Sequence, residues 1–164
     1  MKIRLLHARL AAVVSQLRHG EMLYIADAGS GTSPASLVPL ADQVEVIHVG
    51  IAPGLPTVRD VVSVLWEVGD FEAAIITEDM RTAYPAGHES IRALVGEAHV
   101  HEMRYLPDFY RLRDRVKVFI QTGDYSVHAN IVLVAGYPSP PIPLNWLTSS
   151  TWLDELADKS AEQA

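Results

Sequence analysis

Four polar side chains stand at the ends of apolar runs in this sequence. His19 and Asp27 flank Met22 to Ala26, and His128 and Asn130 lead into Ile131 to Ala135. Their types suit proton transfer and the holding of hydroxyl groups. Imidazole takes up and gives protons near neutral pH, with an unperturbed pKa of about 6.5. A carboxylate accepts hydrogen bonds from two hydroxyls, and a carboxamide accepts and donates at once. Polar groups at the mouth of a rigid, buried strand are a common setting for a small polar ligand.

The elements that must position them follow from patterning. Gln121 to Gly136, QTGDYSVHANIVLVAG, divides into a turn at Gly123-Asp124, a polar loop over Tyr125 to Asn130, and an unbroken apolar run closed by Gly136. A run of that length reads as a strand buried on both faces. Met22 to Ala26, Val44 to Val49, Glu72 to Thr77, His101 to Tyr105 and Val116 to Gln121 read as the other strands. Leu6, Leu10, Val13, Val14 and Leu17 predict a helix ending at Arg18-His19, with Gly20 as a left-handed cap. Thr57 caps a second helix, with Asp60 as its capping-box partner and Val58, Val61, Val62, Leu65 and Val68 facing inward. Gly87 to Glu97 reads as a third helix, and Pro107 to about Arg113 as a short one. Strands alternating with helices predict a layered α/β/α sandwich around a central mixed, largely parallel sheet, as a single domain. Residues 1–136 form that α/β domain. Residues 137–164 are a C-terminal extension whose Pro-rich start, Tyr137 to Pro143, suits neither helix nor sheet interior. Its Trp146 and Trp152 suggest packing on a surface, its own or a neighbour's.

Composition narrows the function classes. A net charge of −7 over 164 residues argues against nucleic acid as a partner. The chain has no cysteine, so neither disulfides nor thiol chemistry enter. The N-terminus has a basic start and an apolar middle, but Arg9, Gln16 and Arg18 interrupt it at amphipathic spacing and no small-residue cleavage site follows. No apolar run has the length of a membrane span. These features predict a cytoplasmic protein with no membrane association.

Three groups of residues carry a family resemblance. They are Leu17-Arg18-His19-Gly20-Glu21 with Asp27-Ala28-Gly29; Gly54-Leu55-Pro56-Thr57 with Glu72-Ala73-Ala74-Ile75-Ile76; and Thr122-Gly123-Asp124, then His128-Ala129-Asn130, then Ile131 to Gly136. In order and separation they resemble the ribose pyranase/fucose mutarotase family, over residues 5 to 136. The resemblance implies an isomerase that interconverts monosaccharide ring forms without a cofactor or metal. It also implies homo-oligomeric rings, pentamers or decamers of two stacked pentamers, with the sugar site near a subunit boundary. By the same resemblance His19 is the proton donor, Asp27 binds ring hydroxyls, and His128, Ala129 and Asn130 form the sugar-binding loop. Arg104 supplies a further sugar contact. His128 stands where the family has Tyr. Its imidazole could still act as acid or base, but the change weakens any assignment of ribose or fucose as substrate.

Plainer roles stand beside these. A His before Gly at a helix end complements the helix dipole, and an Asp at a strand end is a turn former. His99 and His101 resemble a metal pair without a third ligand at metal-site spacing. His48 and His88 read as structural. Gly29-Ser30-Gly31 invites a nucleotide-binding reading, yet the third glycine and the Lys of phosphate-binding motifs are missing. Two rivals to an isomerase remain: a non-catalytic monosaccharide-binding or sensing protein on the same fold, and a scaffold whose Pro/Trp extension engages a protein partner.

Overall fold

The computed structural model describes residues 2–164. Its centre is two five-residue strands, β1 (Met22–Ala26) and β6 (Ile131–Ala135), every residue of which is buried. They pair antiparallel, with Ile25 opposite Ile131 and Met22 opposite Val134. The other strands are β2 (Glu45–His48), β3 (Phe71–Thr77), β4 (Val100–Met103) and β5 (Val118–Gln121), in the sheet order β2-β5-β1-β6-β3-β4. β1 to β5 run in one direction and β6 alone runs against them. The sheet is thus mixed and largely parallel, as its runs of Val, Ile and Leu require when both faces are covered.

Side chains alternate between those faces. On one, Leu23, Ile25, Ala74, Ile76, Val118, Ile120, Ile131 and Leu133 pack against three helices. These are α1 (Ala8–Gln16), which supplies Leu10 and Val13; α2 (Val58–Val68), which supplies Val58, Val62 and Leu65; and α4 (Pro85–Val95), which supplies Ile91 and Val95. A one-turn helix, α3 (Met80–Ala83), precedes α4. On the other face, Tyr24, Ala73, Ile75, Phe119, Val132 and Val134 meet Met103, the last residue of β4, and Leu40, Val44, Phe109, Leu112 and Val116, which come from irregular segments and short turns. Burying each such aliphatic side chain contributes about 1.5–3 kcal/mol.

Local signals explain most element boundaries. Thr57 Oγ1 accepts from the Asp60 N–H while the Asp60 carboxylate accepts from the Thr57 N–H, the reciprocal cap expected for α2. The first helix differs from expectation. It begins only at Ala8, because His7 Nδ1 accepts from the Leu10 N–H at 3.2 Å and leaves Leu6 outside and exposed. It ends at Gln16, since Leu17 is extended. Gly20 does have a positive φ, of 83°, but in a reverse turn closed by Glu21 N–H to Arg18 C=O at 3.0 Å, and not as a helix cap.

The C-terminal extension packs on the chain's own sheet. Ile142, Leu144 and Leu147 join the second face, the last two from α5 (Leu144–Thr148). α6 (Trp152–Gln163) follows and buries no residue; the Trp152 ring stacks on Trp146 with centroids 4.3 Å apart. Neither helix was predicted. Among the described residues, no helix is long and apolar enough to cross a membrane.

Candidate functional site

The polar residues flagged in the sequence lie at two opposite ends of the sheet. At the end where β1 to β5 finish and β6 starts, an open cleft of about 540 Å³ is lined by Asp27, Gly29, Tyr105, Asp124, His128 and Asn130, among others. Crevices beyond the carboxyl ends of parallel strands are the usual ligand sites of open α/β sheets.

Strand register brings Asp27 and Asn130 together. Ile25 faces Ile131, so the residue just past β1 lies beside the residue just before β6. The Asp27 N–H donates to Asn130 Oδ1 at 2.7 Å, which fixes the amide's orientation and leaves Nδ2 without a hydrogen-bond partner among the described residues. Asp27 Oδ1 accepts from the Gly29 N–H at 3.1 Å and from Ser30 Oγ at 2.9 Å, whereas Oδ2 has no such partner. Asp27 thus keeps one free carboxylate oxygen, and Asn130 one free amide donor, among residues that line the cleft.

The loop beneath them is pinned by Asp124, which is buried. Its Oδ2 accepts from the Val58 N–H at 2.9 Å, capping the start of α2, and its Oδ1 accepts from the Ser126 N–H at 2.7 Å. A carboxylate at a helix N-terminus is favoured by the dipole. Asp124 C=O also accepts from the Ala28 N–H, which ties the β1 loop to the β5–β6 loop. Gly123 must be glycine, because a Cβ there would run into the carbonyl oxygens of Ala52 and Leu55.

His128 has φ 55°, the left-handed region that non-glycine residues seldom adopt. That conformation stands its ring edge-on to Tyr105, with centroids 5.1 Å apart, and puts Nε2 3.8 Å from Asp79 Oδ2. Burial pushes the Tyr105 hydroxyl above its ordinary pKa, and the neighbouring Tyr110 and Asp27 act the same way, so Tyr105 stays a hydrogen-bond donor at neutral pH. Tyr105 was not singled out in the sequence. Its neighbour Arg104 was, but Arg104 Nε donates to Asp108 at 3.0 Å and the residue does not line the cleft. The Ala129 side chain is likewise not part of the lining; it is buried in the core below.

His19 is at the other end. Gly20 and Glu21 bond to Ala135, where β6 finishes, and β1 lies between them and Asp27. Five strand residues at about 3.3 Å each separate the two ends by roughly 17 Å. His19 Nε2 is 2.5 Å from Glu72 Oε1, and Glu72 Oε2 accepts from the Ile142 N–H at 2.6 Å. Ser139 Oγ lies 3.4 Å from His19 Nδ1, and the Tyr137 ring is 5.9 Å from the imidazole. Within one protomer His19, Asp27 and Asn130 do not converge.

The remaining flagged groups find structural roles. His88 Nε2 is 2.7 Å from Glu102, and His99 Nδ1 bonds to the Glu72 carbonyl at 3.0 Å. His48, at the end of β2, is exposed. Among the described residues no three His, Asp or Glu side chains gather as a metal site. No helix starts after Gly29-Ser30-Gly31, so the helix N-terminus that a phosphate would need is missing there. Arg113 closes that loop by donating to the Gly31 carbonyl.

A profile of the RbsD / FucU transport protein family matches residues 1–138. The chain belongs to that family. Among its relatives, the D-ribose pyranase of Variovorax paradoxus (strain S110) is 36% identical over 137 residues, 80% of this chain and 94% of its own. The D-ribose pyranase of Bacillus subtilis (strain 168) is 28% identical over 132 residues, again 80% and 94%. The structure of Bacillus subtilis RbsD complexed with D-ribose is similar with a TM-score of 0.73 at 27% identity, covering 85% of this chain and 99% of that one. The Streptococcus pneumoniae fucose mutarotase in complex with L-fucose gives 0.65 at 15% identity, over 84% and 98%, a likeness of fold. The family match ends at residue 138, so most of the extension lies beyond it.

Proposed function

We propose that this chain is a sugar isomerase of the pyranase/mutarotase type, which interconverts ring forms of a monosaccharide in the cytoplasm without a cofactor. One observation carries this reading: Asp27 and Asn130, bonded to each other through the Asp27 N–H and each with a polar atom left free among the described residues, border the cleft that Tyr105 and His128 also line. Adjacent sugar hydroxyls present a matching donor and acceptor. Relatives named D-ribose pyranase point to a ribose-like pentose.

Ring opening takes a proton from the anomeric hydroxyl and gives one to the ring oxygen as the C1–O bond breaks. Closure on the same or another hydroxyl reverses both transfers, so no proton is gained or lost. On this reading His128, with Asp79 and Tyr105 beside it, accepts the anomeric proton. The ring-oxygen proton comes from His19, and since His19 is at the far end of its own sheet, it must come from a neighbouring copy. The cleft is open and about 540 Å³ in volume, which leaves room for that group. A ring assembly that stacks the two sheet ends of adjacent copies meets this requirement. Each well-placed acid or base contributes about 10²–10⁴-fold in rate.

Saturation-transfer NMR of D-ribose and L-fucose tests the proposal. Ring-form exchange should accelerate with the wild-type chain and fall sharply with His128→Ala. The distance of His19 from the cleft in one protomer favours a second reading, a monosaccharide-binding protein that does not catalyse. Tight sugar binding without any gain in exchange would select that one.

A further inference from the structure

The C-terminal extension touches the residue to which the proposed function assigns the ring-oxygen proton. Glu72 is the second residue of β3, at a register irregularity between Phe71 and Ala73 in the pairing with β6. A bulge re-aims a side chain, and here Glu72 reaches two partners at once. Its Oε1 meets His19 Nε2 at 2.5 Å and its Oε2 takes the Ile142 N–H at 2.6 Å. Glu72 and His19 are mostly buried, with side-chain exposures of 11% and 21%. The Ile142 side chain closes over Gly20, 3.3 Å from where a Cβ there would sit. Ile142 is itself held between Pro141 and Pro143, and the chain beyond it is anchored by Leu144 and Leu147 in the second apolar face.

From this geometry we infer that the strap Tyr137 to Ile142 positions His19 for proton transfer: the Ile142 N–H orients Glu72, which holds His19 with Nε2 protonated and Nδ1 as the working nitrogen. A carboxylate can only accept, so the imidazole nitrogen facing it carries the hydrogen. The other nitrogen is then left for substrate, the tautomer logic that a carboxylate imposes on catalytic histidines. Nδ1 faces Ser139 Oγ at 3.4 Å, a long contact that a sugar hydroxyl could replace. When His19 gives its Nδ1 proton to the ring oxygen, it relaxes to the Nε2–H form that Glu72 already binds. Glu72 and Ile142 are positioning residues; neither touches the substrate. Ser139 and Ile142 lie past the residues that match the family, so this support belongs to the extension.

The inference rests on His19 being the proton donor, and its test separates the two. Imidazole ¹⁵N shifts of His19, measured in the full-length protein at a pH where the ring is neutral, should report the Nε2–H tautomer. In Glu72→Gln the Ile142 N–H holds the new carbonyl, so the amide NH2 faces Nε2 and His19 should switch to Nδ1–H. Its kcat should fall about 10–100-fold, the usual loss when the partner orienting a functional histidine is removed, with KM unchanged. Glu72→Asp should recover part of that loss. Ile142→Pro, which deletes the N–H, should lower kcat in the same way. An Nδ1–H tautomer in the wild type, or full kcat in both Glu72→Gln and Ile142→Pro, overturns the inference. A wild-type chain that accelerates no exchange overturns the function of His19, while the tautomers still decide whether the strap holds its ring.

Discussion

The two ends of the central sheet are built in contrasting ways. Where β1 to β5 finish, loops leave a wide cleft whose polar groups keep unused hydrogen-bonding capacity, as Asp27 Oδ2 and Asn130 Nδ2 do. At the opposite end His19 is packed among Glu72, Ser139 and Tyr137, with Nε2 held by the Glu72 carboxylate and Nδ1 only in long contact with Ser139 Oγ, at 3.4 Å. One end is poised to receive a small molecule, and the other presents a single supported side chain. The difference teaches why a motif that reads continuously in sequence can be divided in space. His19 and Asp27 lie on either side of one strand, and a strand carries its flanks apart. A site that needs both calls for two copies of the chain.

The largest expected effect tests that division. His19→Ala should lower the exchange rate about 10²–10⁴-fold, and Asp27→Asn should also lower it, through lost orientation of the sugar. Mixing the two inactive proteins under conditions that allow subunit exchange should restore part of the activity, because some shared sites would then hold both native groups. Failure to restore it would break the comparison and return the site to a single protomer.

Asn130→Ala comes next. It strips the Asp27 N–H of its partner, and an unsatisfied buried donor costs about 1–3 kcal/mol. A lower denaturation midpoint with a raised KM is expected, measured by urea titration and by sugar-dependent rates. Gly123→Ala should destabilise by about 1–3 kcal/mol through overpacking against Ala52 and Leu55, with no direct change at His19. The imidazole shifts of His19 should therefore stay as in the wild type, which would show that the two ends respond independently.

The smallest effect concerns Glu102, on the edge strand β4 and outside the lining of the cleft. The Arg81 guanidinium holds its carboxyl below the ordinary value of 4.5, with His88 assisting and partial burial opposing. A depressed carboxylate pKa gives stability that is present above the unfolded pKa and is lost as pH falls through the folded one. Glu102→Gln should thus cost less than about 1 kcal/mol at pH 7. The difference should shrink as pH falls below 4.5 and vanish once pH is below the depressed folded value, as thermal melts of both proteins across that range would show.

Much of the framework was legible because its signals are local. Met22–Ala26 and Ile131–Ala135 are five-residue apolar runs bounded by polar or turn residues, and both are strands over those residues. The Thr57–Asp60 cap needs only four residues to declare itself. The start of α1 was missed because apolar spacing extended the helix to Leu6, while the His7 cap bond that sets its first turn was not considered. α6 was missed because Asp154 to Ala164 was read only as a polar end, although Trp152, Leu153 and Leu156 recur at helical spacing. At the site, the adjacency of Asp27 and Asn130 follows from register once the pairing of β1 with β6 is known, and sequence alone does not state that pairing. Arg104 drew attention over Tyr105, although Asp108 stands at the i+4 position where it can occupy a guanidinium. Glu72 lay inside a quoted motif with no role, since its partner His19 is 53 residues away.

The paired indoles of Trp146 and Trp152 have a practical consequence. Lying 4.3 Å apart and within 11° of parallel, they are close enough for their electronic transitions to couple. Trp66 stacks instead with Phe71, beside His99. Near-ultraviolet circular dichroism should therefore carry an exciton signature of the tail helices, so that loosening of the C-terminus could be followed optically while the rest of the molecule stays folded.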